Sequence, residues 1–338
     1  MVEKQIDMKN LINEAIDASI TFEELMDKTD FDSWFENEDP NKFAQIQDVT
    51  PFEKFKNDIK ELRRICCQIK NKWGTELHEP EDKSSNEISL IFKLFDAKIK
   101  RVEARICSQK EDGEEIYKDA LYHLLSALNP LQKPKGDNID KRWLILLYND
   151  LSICYAGLEN SSMSRGYAQE ARWLIEKKEE NYEESYKKFY QKLDAEKPAN
   201  RSNIKEHDFV SSKLYALYTV AIYNQAVAEK RSYYYSDAEK NFRRIIDFAE
   251  MRENRDTPLR NFNYCSTLLN LSDLYIDLGR GEEAIELLKK IGKDENDIRY
   301  WNACIAKINA LIDQSKYDDA NDELYKNIIE KENGYTLN

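Results

Sequence analysis

Few residues in this chain could do covalent or metal chemistry, and their spacing argues against it. The histidines are His78, His123 and His207, far apart, and none has a ligand-like neighbour three or four residues on. The cysteines Cys66, Cys67, Cys107, Cys154, Cys265 and Cys304 show no CxxC spacing, and the adjacent pair is badly placed to bond to each other. There is no HExxH, no EF-hand loop, no glycine-rich phosphate loop and no GxSxG. The acidic pairs Glu114-Glu115, Glu282-Glu283 and Asp318-Asp319 could in principle share acid-base work. Each lies where a helix is expected to begin, and there a carboxylate is favoured by the positive end of the helix dipole. No catalytic residue, metal site or cofactor is therefore assigned, and the chain is read as a non-enzyme.

The elements around these residues are expected to be helices. Glycine (9) and proline (7) are scarce among 338 residues, so long helical runs go uninterrupted. The twenty tyrosines suit half-buried surfaces, where the ring packs and the hydroxyl stays wet. The formal charge is −13, and Lys and Arg are mixed with acids along most segments. That pattern leaves no basic stripe for phosphates, so neither nucleic acid nor an anionic membrane is an expected partner. No apolar run approaches the roughly 18 residues of a membrane span, and Met1 to Asp7 contain no signal core. A cytoplasmic location follows as the default expectation.

Internal repetition is clearest from Leu268 to Ile291. Leu271, Ser272 and Tyr275 form a large-small-large run, Gly279 stops that helix, and Ala284 stands four residues before Leu288 on the next. A small side chain lets two antiparallel helices approach while large neighbours fill the gap beside it. Tyr223 to Ala226 with Ala238 and Phe242 repeat the frame, with Tyr233-Tyr234 where glycine would be usual. Leu151-Ser152-Ile153-Cys154-Tyr155 repeats it again, with Ala171 and Ile175 arriving late, so that Asn160 to Gly166 read as an inserted turn. Tyr117 to Ala120 and Leu124 form a second helix stopped by Asn129-Pro130, and Tyr317 to Ala320 with Leu324 close the series.

On these residues the chain resembles the tetratricopeptide repeat (TPR) family. The resemblance implies an all-α fold: a right-handed superhelical α-solenoid of about five irregular TPR-like helix pairs with an N-terminal helical cap. The pairs are placed near 86–128, 141–180, 208–250, 258–292 and 296–333, with an insertion at 181–207. The marker alanines (120, 171, 238, 284, 320) are unevenly spaced, against a family period of about 34 residues. Residues 1–80 are expected to hide the outer face of the first repeat.

The family's partner peptides lie along the first helices, beside a position that is often asparagine. Here that slot holds Asp150, Asn224 and Asn270. An amide offers donor and acceptor together, so it can pair with an extended backbone of any sequence. Neighbouring inward slots are Tyr223, Val227, Lys230 and Arg231, then Ser266, Leu269 and Asp273. Lys230 and Arg231 could meet an acidic side chain or a terminal carboxylate. The expected function is a scaffold or adaptor that holds a partner peptide or helix in a concave groove, within a larger complex in some cases. The alternative is an N-terminal regulatory or sensor region that restrains or recruits an effector enzyme, for example a caspase-like protease, in cis or in trans.

Overall fold

A computed structural model describes residues 8–28, parts of 57–71, 84–106, 112–131, 141–178, 206–250, 263–292 and 298–324. Most of the expected insertion, and the stretches 1–7, 29–56 and 72–80 of the expected cap, lie outside them. Every regular element among the described residues is helical. In order they are α1 (Met8–Lys28), α2 (Ser84–Ile106), α3 (Asp112–Leu131), α4 (Lys141–Gly157), α5 (Ser161–Lys178), α6 (Glu206–Arg231), α7 (Tyr235–Glu250), α8 (Tyr264–Asp277), α9 (Gly281–Leu288), α10 (Ile298–Asp313) and α11 (Tyr317–Leu324). Residues 63–69 add a helical stretch that buries Ile65 and Cys66 and leaves Cys67 exposed. The chain forms two compact units, Met1–Ala228 and Glu229–Asn338, and α6 runs from the first into the second.

In the first unit α2 packs on α3, α3 on α4 and α4 on α5, while α1 lies against α2 and α4. The apolar stripes are those expected of amphipathic helices: Tyr117, Ala120, Leu121, Leu124 and Leu128 on α3 are all buried. In the second unit α7 packs on α8, α8 on α9 and α10, α9 on α10, and α10 on α11. Leu268, Leu271, Leu274 and Tyr275 of α8 are buried, as are Ala284 and Leu288 of α9.

Tight turns within pairs share one hydrogen-bond scheme. A residue in the left-handed region closes the first helix at Glu159 (φ 57), Tyr233 (φ 64), Gly279 (φ 69) and Ser315 (φ 59). The next N–H returns to the carbonyl five residues back: Asn160 to Tyr155, Tyr234 to Glu229, Arg280 to Tyr275 and Lys316 to Leu311. This is the Schellman cap, and it satisfies carbonyls the helix end would leave unpaired. The same residue then begins the second helix, accepting from the N–H of Ser164, Ala238, Ala284 and Ala320 respectively. Glycine suits the left-handed position, yet only one of the four turns uses it.

This register corrects one expectation. Asn160 to Gly166 are not an inserted turn, since α5 starts at Ser161. The small residue at its crossing is Ser164, 1% exposed, in the place held by Ala238, Ala284 and Ala320. Ser152 Oγ donates to the Ser164 carbonyl at 2.8 Å, and Ser272 Oγ approaches the Ala284 carbonyl at 3.4 Å in the same arrangement. Ala171 is buried as well, two helical turns further on. Helix α3 ends at Leu131, within a residue of the expected stop at Asn129-Pro130.

Candidate functional site

The expected binding residues lie on first helices, and the turns put them in register. Asp150, Asn224 and Asn270 each stand nine positions before a left-handed residue. Their surroundings differ sharply.

In the first unit, Asp150 is 2% exposed, so it is not the open slot expected of it. Its Oδ1 accepts from Lys98 Nζ at 2.9 Å and from Arg101 Nη1. Glu23 of α1 completes the cluster: Lys98 Nζ and Arg101 Nη1 reach its Oε1 at 2.7 and 2.8 Å, and Arg101 Nη2 reaches Oε2 at 2.8 Å. Lys98 also stands 5.0 Å from the centroid of the Phe22 ring. Burial alone would raise the Glu23 carboxyl, but the charges and hydrogen bonds of Arg101 and Lys98 hold it down at about 2. Two cations and two anions thus neutralise one another where α1, α2 and α4 meet. Beside them, burial pushes the thiols of Cys66 and Cys154 up to about 12, so neither is a nucleophile.

Tyr223, Asn224 and Val227 are half-buried on α6. The Nδ2 of Asn224 is buried and has no hydrogen-bond acceptor among the described residues, and the same holds for the Nε2 of Gln314. Such a donor costs about 1–3 kcal/mol of lost hydration, so its retention calls for an explanation.

In the second unit, Lys230 Nζ lies 3.5 Å from Asp273 Oδ2, so two of the expected site residues pair with each other. Arg231 is exposed at the end of α6. Ser266 is 6% exposed and not an open slot, because it faces the packing side of α8. Its carbonyl accepts from Asn270 Nδ2 at 3.0 Å. Asn270 and Leu269 are half-buried.

A second constellation in this unit was not anticipated. Arg280 stacks 4.0 Å over the Tyr275 ring, and Tyr275 Oη donates to Glu239 Oε1 at 2.8 Å. Glu239 also accepts from Arg280 and Arg243, each at 2.9 Å. Burial opposes ionisation of Glu239, but these donors hold its carboxyl at about 2. Arg243 and Tyr275 of this group border an open cleft of about 670 Å³ that also touches Lys289, Lys290 and Lys316. Those lysines pair with Glu286, Glu250 and Glu282, so the cleft's lysines are already engaged. Among the described residues no group of three metal-ligating side chains occurs, and no helix is long and apolar enough to cross a membrane. His123 lies 3.7 Å from Asp119 and edge-on to the Tyr122 ring.

No family model matches the sequence, and no curated protein does. Among solved structures, NprR in complex with its cognate peptide NprX is similar over 96% of this chain and 78% of that one, with 14% identity and a TM-score of 0.46.

Proposed function

We propose that this chain is a non-catalytic protein-interaction module that holds a partner peptide or helix along the exposed faces of its first helices. The observation carrying this reading is the Asn224 amide of α6, whose Nδ2 is buried with no acceptor among the described residues, nine positions before the left-handed Tyr233. Asn224 as a whole is half-buried, so a turn of its side chain would bring Nδ2 to a partner's backbone carbonyl, and an amide can pair with main chain of any sequence. Val227 and Tyr223, half-buried beside it, supply apolar and aromatic contact on the same helix.

The test separates binding from folding. Asn224→Leu removes an unsatisfied donor and keeps the branched shape, so the folded state should gain about 1 kcal/mol, read as a higher midpoint in urea unfolding. The partner, identified by cross-linked affinity capture from native cells and then purified for titration, should bind the variant several-fold more weakly. A variant that binds that partner as tightly as the parent chain would refute this reading.

A further inference from the structure

The face of α10 directed away from its neighbours is unusually apolar for exposed helix. Ile305 and Ile312 are 49% and 47% exposed, and Asn302 and Asn309 are exposed between them. The four recur at the spacing of one helix side, while Ala303, Ile308, Ala310 and Leu311 of the same helix are buried. Counted from the left-handed residues Gly279 and Ser315, Ile305 and Ile312 match Leu269 and Ile276 of α8, on which α10 packs. The stripe is therefore a continuation of the first-helix faces and not a random pair of surface isoleucines. Isolated exposed aliphatics are ordinary, but two on one stripe with neutral amides between them form a contact patch.

The exposed charges left without an ion pair on this stretch have one sign. Asp277 and Asp313, at corresponding places on α8 and α10, are exposed and make no ion pair among the described residues. Asp273 is also exposed, and partial burial followed by the proximity of Asp277 pushes its carboxyl up even though Lys230 opposes the shift. The cations nearby are spent: Lys307 of α10 pairs with Glu323 at 2.7 Å, and Lys230 with Asp273.

We infer that the α8–α10 face of the second unit docks a cationic amphipathic helix, with aliphatic side chains about two turns apart and Lys or Arg flanking them. This rests on the reading of first-helix faces as the binding surface. Ile305 and Ile312 are seven residues, about two turns, apart, which matches the i, i+7 stripe of a partner helix lying alongside. The unpaired aspartates then select the sign of the partner's flanks. Acidic or phosphorylated segments are disfavoured by the same groups.

The test uses the full chain and two synthetic fluorescent helices. Both carry leucine at i, i+3, i+4 and i+7 positions; one has lysine and glutamine elsewhere, the other glutamate and glutamine. Fluorescence anisotropy should show the lysine helix binding and the glutamate helix not. Ile305→Ser with Ile312→Ser should weaken binding at least about tenfold, because apolar burial is lost. Asp277→Asn with Asp313→Asn should weaken it less and flatten its dependence on salt. Both pairs are exposed, so circular dichroism should be unchanged. Equal binding of the glutamate helix overturns the cationic assignment. Lysine-helix binding indifferent to the isoleucine changes overturns it too, since attraction to a chain of charge −13 would then suffice. If neither helix binds while the Asn224-dependent partner does, this inference fails and the proposed function stands.

Discussion

Asp150 shows how one side chain changes meaning with its surroundings. In register with two asparagines, it sits instead in a neutral cluster with Lys98, Arg101 and Glu23. Removing one member of a buried ion group strands the others, so Asp150→Ala should destabilise the fold by about 3–5 kcal/mol in denaturant unfolding. A loss below about 1 kcal/mol would mean that water reaches the cluster freely. The pH dependence has a definite sign. The Glu23 carboxyl falls from 4.5 to about 2 on folding, so its contribution is complete above pH 4.5 and disappears as pH falls toward 2. Unfolding free energy should drop across that window, and Glu23→Gln should flatten the drop. The cluster left a trace in the sequence that is easily passed over. Lys98 and Arg101 lie among Leu94, Phe95, Ala97 and Val102, where an amphipathic helix would place apolar residues. What the sequence could not supply is the distant pair of acids, from α1 and α4, that makes those positions tolerable.

At the scale of elements, the turns decide where small residues fall. Ala238, Ala284 and Ala320 were legible because each follows an acidic residue and stands four residues before a large apolar one, Phe242, Leu288 and Leu324. Ser164 was missed because serine is a common surface residue, and only the Asn160 to Tyr155 hydrogen bond puts it at the crossing. Two substitutions test this frame. Ala284→Trp places a ring where helices touch, and should cost about 3 kcal/mol or more by thermal or urea unfolding. Tyr233 is 79% exposed yet holds a left-handed backbone, so Tyr233→Gly should relieve strain at little loss of packing. A gain of about 1 kcal/mol is expected in the same assay. Equal stability would mean that the Tyr235 ring, 5.9 Å away, offsets the strain.

Across the molecule, helices pack mainly on those next to them in sequence. Stability in such arrays is close to a sum of local interfaces, so damage should stay local. Hydrogen exchange on Ala284→Trp should show lost protection over 264–313 while 84–178 exchange as in the parent chain. Uniform loss would indicate a single cooperative core. The all-helical organisation was legible from scarce glycine and proline and from spaced apolar residues. The inner-face chemistry was only half legible: position can be counted along a helix, whereas an orphaned amide or a mutual Lys230–Asp273 pair depends on what lies opposite.

Each Schellman cap is closed by main-chain groups, which almost any residue provides. Length cannot vary inside these hairpins without breaking that closure, whereas the joins from one hairpin to the next run from 132–140 to the far longer 179–205. Evolutionary insertions, and grafted epitopes or reporter tags, should accordingly be admitted at the joins and refused at the hairpin tips.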